Sequence, residues 1–122
     1  LKTVLRGKRV VVVDDSIVRG NTSQKIMALI REAGAKEIHV RVASPPICQP
    51  CFLGVDIASE KELIASNKTI KQIQKHLKVE SLGYLSLEKM IKATKPATCK
   101  FCTGCFDGNY PIKVNELQNS RS

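Results

Sequence analysis

The chain has no tryptophan, and only two tyrosines and three phenylalanines among its 122 residues. That leaves little aromatic surface on which nucleobases could stack, and no helix-turn-helix or RRM-type motif makes up for it. No apolar run reaches the roughly 18 residues of a membrane span, and no charged-then-apolar leader opens the chain. A cytoplasmic address follows by default. Acids are scarce, 11 against 20 lysines and arginines, for a formal net charge of +9. Such a balance suits a polyanion of any sort, from nucleic acid to a diphosphate. The lysines between Lys61 and Lys100 recur at near-helical spacing, however, which is the pattern of a solvated helix face. Neither nucleic acid nor a membrane is therefore expected as a partner. Length and a hydrophobic content of 43% fit one globular domain with a modest core.

What the sequence does have is concentrated in Lys8 to Ser23, KRVVVVDDSIVRGNTS. Four valines, Val10 to Val13, are too short and too β-branched for a helix and predict a strand buried on both faces of a parallel sheet. Asp14 and Asp15 end that strand, where open α/β sheets bind their ligands. Arg19, Gly20, Asn21, Thr22 and Ser23 then lead into an apolar periodic run, and the last three are good helix N-caps. Free N–H groups at a helix start, the positive end of its dipole and two hydroxyls would hold a phosphate, with Gly20 letting the backbone come close. Carboxylates beside such a cradle call for sugar hydroxyls, and magnesium could join through Asp14 and Asp15.

Ile26, Met27, Leu29, Ile30 and Ala33 continue at helical spacing, and Gly34 closes the helix. Glu37 to Ala43 alternates apolar and polar residues and predicts the next parallel strand, with His39 on its solvent face. Ser44-Pro45-Pro46 ends that strand. A short helix is expected over Glu60 to Ala65, a second over Asn67 to Leu77, an extended passage over Ser81 to Ser86, and a third helix capped by Ser86 and stopped by Pro96. The tail from Gln118 is polar. The chain opens at Leu1, almost directly on a strand that needs neighbours, and reads as a piece of something longer.

Five cysteines fall in two groups, Cys48 and Cys51, then Cys99, Cys102 and Cys105, each spaced by two residues. Two intervening residues let one turn present both sulfurs to one ion, and the bare spacing points to zinc. Disulfides and ordinary buried thiols are the alternatives, the first disfavoured by an intracellular address. On the cysteines and charge alone, a small zinc-binding module with a basic surface for a nucleic-acid or protein partner is a rival reading. It leaves the acid pair and the phosphate-type turn unexplained.

The strand, acid pair and Arg-Gly-Asn-Thr-Ser turn resemble the phosphoribosyl diphosphate motif of type I phosphoribosyltransferases. With EAGAKEIHVRVASPPICQPCFLGVDI, SLGYLSLE and CTGCFDGNYP added, nearly the whole chain resembles the carboxy-terminal part of the glutamine amidophosphoribosyltransferases. The resemblance implies an α/β fold, a partial phosphoribosyltransferase-type parallel sheet flanked by helices over residues 1–95, with a cysteine-rich segment over 96–122 packing on it. It implies an enzyme of purine biosynthesis, a homo-oligomer when intact, in which glutamine-derived ammonia displaces pyrophosphate from phosphoribosyl diphosphate to give 5-phosphoribosylamine. Asp14 and Asp15 would contact the ribose hydroxyls and magnesium, and Ser16, Arg19, Gly20, Asn21, Thr22 and Ser23 the 5′-phosphate. Asn21 stands where the family usually has threonine. The resemblance further implies a four-iron cluster, a [4Fe-4S] group, held through Cys51, Cys102 and Cys105 with a fourth ligand upstream. Cys48 and Cys99 are extra to that pattern. The glutaminase part is absent, so the chain alone is expected to be inactive.

Overall fold

The computed structural model describes residues 2–55, 59–94 and 100–113. In chain order its elements are α1 (Lys2–Leu5), β1 (Arg9–Asp14), α2 (Asn21–Glu32), β2 (Glu37–Val42), a 3-10 turn (Glu60–Glu62), α3 (Ile64–Asn67), α4 (Ile70–Leu77), β3 (Ser81–Tyr84), α5 (Leu87–Ala93) and α6 (Gly104–Asp107). The expected boundary at residues 95 and 96, the stop at Pro96, Cys99 and the tail from Gln118 lie outside the described residues.

The three strands form one parallel sheet in the order β1-β2-β3. The register runs from Arg9 opposite Glu37 to Asp14 opposite Val42, and from His39 opposite Ser81 to Val42 opposite Tyr84, so both pairings end level with the acids. Period-two alternation turns Ile38, Val40 and Val42 inward, where they meet Met27 of α2 and Ile73 and Leu77 of α4, all at most 3% exposed. Each such side chain contributes about 1.5–3 kcal/mol by leaving water. Most of the sheet's other face is uncovered by the described residues: Val11 is 62% and Val13 73% exposed. The expectation of a β1 buried on both faces is thus corrected, because a three-stranded sheet packed on one side leaves alternate valines bare.

Local chemistry accounts for the element ends. Thr69 and Gln72 form a reciprocal capping box before α4, so that helix starts at Ile70 rather than at Asn67. Ser86 accepts from the Lys89 amide and caps α5 as expected. The helix expected over Glu60 to Ala65 is instead a 3-10 turn and α3, broken at the fully buried Leu63, whose backbone is extended. His39 lies on the sheet's uncovered face as expected, opposite Val11, but is not free in solvent: its side chain is 21% exposed. Its Nδ1 lies 2.8 Å from Ser81 Oγ and its Nε2 3.0 Å from Glu37 Oε2, so it ties β2 to β3. The hydrogen bond from His39, with Arg9 nearby, holds the Glu37 carboxyl below its usual range. None of the described helices is long and apolar enough to cross a membrane.

Candidate functional site

At the carboxyl end of β1 the chain turns on its own side chains. Asp14 Oδ1 accepts from the Asp15 amide at 3.0 Å, and Ser16 Oγ donates to Asp15 Oδ1 at 3.0 Å. One oxygen of each carboxylate has no bond among these contacts, which leaves both acids able to receive hydroxyls or a hard cation. Ile17, 2% exposed, anchors the turn in the core. Gly20 then takes a left-handed conformation, φ 80°, and is itself the N-cap of α2 with no side-chain cap hydrogen bond. Asn21, Thr22 and Ser23 were expected to cap the helix; they are its first turn instead. The first intrahelical bond is from the Gln24 amide to the Gly20 carbonyl at 2.9 Å, so the preceding amides have no helical partner by geometry. A helix start left without a side-chain acceptor is the arrangement an incoming anion completes.

A cavity of about 300 Å³ opens on this turn. Asp14, Ser16, Arg19, Gly20, Thr22 and Ser23 line it, with Val18 and Ile26 completing the wall. The structure therefore brings six of the eight expected residues to one space, while Asp15 and Asn21 stand outside its lining. The Arg19 guanidinium reaches Glu62 Oε2 at 3.4 Å, both side chains half-exposed. Glu62 had no signal in sequence, since 43 residues separate it from Arg19. A larger cleft, about 570 Å³, runs between α2 and the end of α4 over Met27, Ala28 and Leu77, away from the carboxyl ends of the strands.

The cysteines form a second locus. Cys105, in α6, offers its carbonyl to the amides of Cys48 at 3.0 Å and Gln49 at 3.1 Å, which docks the carboxy-terminal segment on the loop after β2. Burial first, and then the neighbouring Cys51 and Cys102, push the Cys105 thiol up from its ordinary value. The bonds from the Cys105 carbonyl bring the turn that carries Cys102 and Cys105 against the loop that carries Cys51. The Cys48 thiol turns elsewhere and donates to the Pro46 carbonyl at 3.6 Å and the Ala65 carbonyl at 3.7 Å. All four described cysteines are free. Among the described residues no group of three or more His, Cys, Asp and Glu side chains has the arrangement to hold a metal ion. Thiols on two docked turns are the donor type a soft metal takes, but the described residues do not arrange them as a metal site.

The family model described as the phosphoribosyl transferase domain matches residues 1–51. An amidophosphoribosyltransferase of Synechocystis sp. is 52% identical over 93% of this chain and 23% of its own length. That of Methanocaldococcus jannaschii is 54% identical over 94% of this chain and 24% of its own length. A solved structure described as glutamine phosphoribosylpyrophosphate amidotransferase from B. subtilis, complexed with ADP and GMP, superposes with a TM-score of 0.86 at 43% identity, covering 93% of this chain and 26% of that one. The chain thus spans about a quarter of the length of the relatives it matches. Likeness in sequence and likeness in fold each extend over more than nine-tenths of it, and on that ground the chain belongs to the amidophosphoribosyltransferase family, of which it carries part of the phosphoribosyltransferase fold.

Proposed function

We propose that this chain forms the phosphoribosyl-binding part of an amidophosphoribosyltransferase, a cytoplasmic pentosyltransferase of purine biosynthesis. The observation that carries the reading is the shared cavity, in which Asp14 at the end of β1 faces the uncapped start of α2. In the reaction, ammonia released from glutamine attacks the anomeric carbon of phosphoribosyl diphosphate, the bond to the pyrophosphate oxygen breaks, and 5-phosphoribosylamine forms. The loop amides from Gly20 to Ser23, with Thr22 and Ser23 hydroxyls, hold the 5′-phosphate. Asn21 has no hydroxyl to add where the family usually has threonine, so its part in the loop is its backbone N–H at the first turn of α2. Asp14 and Asp15 accept from the ribose hydroxyls and place negative charge beside a sugar that becomes cationic as the leaving group departs. Their free oxygens would hold magnesium, which neutralises the diphosphate when bound. Cys51, Cys102 and Cys105 would hold a structural cluster with a fourth thiolate from elsewhere in the protein.

The test is Asp14→Asn with Asp15→Asn in the full-length enzyme. Transferase activity is expected to fall at least about a hundredfold while glutamine hydrolysis remains measurable, because charge placed at the transition state is lost but the ammonia-producing step is not touched. Full transferase activity of the double variant would sink the assignment.

A further inference from the structure

The phosphate-type turn is backed by a segment with no part in the cavity. After Leu63, 0% exposed, α3 opens on Ile64, 6% exposed. The Ile64 amide donates to the Val18 carbonyl at 3.0 Å. Its side chain fills the space beneath Gly20, where a Cβ would stand 2.6 Å from Ile64 Cδ1. One residue back along the turn, Arg19 meets Glu62. Three successive turn residues, Val18, Arg19 and Gly20, are thus met by an amide, a carboxylate and an apolar side chain of one eight-residue stretch, Glu60 to Asn67. Neither Glu62 nor Ile64 lines the cavity.

A cradle of backbone amides binds an anion well only if its N–H groups already point at a common position. Ordering a free loop on binding costs about 1–2 kcal/mol for each residue fixed. Gly20 gives this turn its left-handed φ but, as glycine, has the widest conformational freedom of any residue. Something outside the turn must hold it. A half-exposed ion pair such as Arg19 with Glu62 contributes little. Ile64 is the stronger constraint, because its amide hydrogen bond and its buried side chain act on the two sides of Arg19.

We propose that Ile64 is a positioning residue of the phosphate-binding turn: packed under Gly20 and bonded to Val18, it sets where the Gly20 amide stands and so fixes affinity for the phosphorylated substrate without touching it. The inference rests on the reading that this turn holds a phosphate.

The experiment is a double-mutant cycle in the full-length enzyme, with KM for phosphoribosyl diphosphate and kcat measured separately. Ile64→Val deletes the Cδ1 atom that a Cβ on Gly20 would strike and keeps the amide, so it is expected to fold and to raise KM only about threefold. Gly20→Ala alone should raise KM about thirtyfold or more with kcat changed much less, since the turn binds ground and transition states alike. In the Ile64→Val background the same Gly20→Ala change should cost about tenfold or less, the remainder being the left-handed backbone. Equal factors for Gly20→Ala in both backgrounds would overturn the role of Ile64 while leaving the phosphate reading intact. No rise in KM from Gly20→Ala in the wild-type background would instead overturn the phosphate reading and this inference with it.

Discussion

The hydroxyl of Tyr110 donates to the carbonyl oxygen of Pro50 at 2.6 Å, a bond across 60 residues. The ring of Phe52 meets the Tyr110 ring edge-on, with centroids 5.1 Å apart. Gly104, buried in α6, lies against the same ring: a Cβ there would stand 2.2 Å from Tyr110 Cδ1. Pro50 and Phe52 flank Cys51, and Gly104 precedes Cys105, so the tyrosine joins the two cysteine-bearing turns.

Tyr110→Phe should cost the segment's docking about 0.5–1.5 kcal/mol, the net worth of one hydrogen bond, while keeping the ring contact. Gly104→Ala should cost more, because the ring has to move before a methyl can enter. Limited proteolysis would report this as earlier cleavage around residues 100–113, with Gly104→Ala cleaved before Tyr110→Phe. Equal resistance of both variants and the wild type would show that the tyrosine does not hold the turns together.

The acid pair and its turn were legible in sequence because everything that defines them is local: a β-branched run, two acids and a glycine, then helical periodicity. The cap differs from the expected one for a non-local reason. Asn21, Thr22 and Ser23 all have capping side chains, but the left-handed Gly20 backed by Ile64 starts the helix one residue before them. The strand period puts His39 on the solvent face of β2, where it lies, but its two partners have different visibility: Glu37, two residues away, shares that face. The strand period shows that pair, whereas Ser81, 42 residues on, becomes a neighbour only through the β2-β3 register. The short α6 had no periodic signal to read, being four residues long.

Among the described residues the buried Tyr84 hydroxyl has no hydrogen-bond partner, which is a cost to the fold. Tyr84→Phe is therefore expected to stabilise the protein by about 1–3 kcal/mol at neutral pH, read as a higher urea midpoint. Burial, and to a lesser extent the neighbouring Cys48, push the Tyr84 phenol up to about 12. The unfolded chain gives up this proton at the ordinary value of 10 while the fold still holds it, so the phenol leaves stability independent of pH below 10 and lowers it as pH climbs toward about 12. The wild type should lose more stability than Tyr84→Phe across that window. A Tyr84→Phe protein less stable than wild type at pH 7 would mean the hydroxyl has a partner after all.

Glu80 behaves in the opposite sense. Arg31 Nη2 donates to both of its carboxylate oxygens at 2.9 Å, and the Ile38 amide donates to one of them. The Arg31 hydrogen bond, followed by that of the Ile38 amide, holds the carboxyl below its ordinary value of 4.5. A lowered value gives stability that is fully present above 4.5 and lost as pH falls through the value in the fold. The stability gap between wild type and Glu80→Gln should accordingly be constant near neutrality and close on acidification. It should also narrow in high salt, since both partners are partly exposed. A gap unchanged from pH 7 to pH 3 would show that charge at Glu80 does not stabilise the fold.

The cysteines give the sharpest division among similar residues. Cys105 has Cys51 and Cys102 as thiol neighbours, whereas Cys48, though its amide is bonded to the Cys105 carbonyl, turns its sulfur toward the Pro46 and Ala65 carbonyls. If a thiolate-bound metal is the structural role of this locus, Cys51→Ser, Cys102→Ser and Cys105→Ser should each strip it, and Cys48→Ser should leave it in place. Each thiol must lose its proton to bind, and burial first of all makes that harder at Cys105, so retention of metal should weaken steeply as pH falls. Loss of metal should also loosen the carboxy-terminal turn, since among the described residues α6 and the Pro50 loop are then joined by Tyr110 and the Cys105 carbonyl bonds. The measurement is anaerobic purification of the full-length protein and its four variants, with iron, acid-labile sulfide and zinc assayed and proteolysis run beside them. A brown wild type and Cys48→Ser, with bleached and protease-sensitive Cys51→Ser, Cys102→Ser and Cys105→Ser, is the expected pattern. A colourless wild type carrying stoichiometric zinc would return the site to what the bare two-residue spacing indicates, and loss of metal in Cys48→Ser would show that its sulfur swings from the Ala65 carbonyl to complete the set.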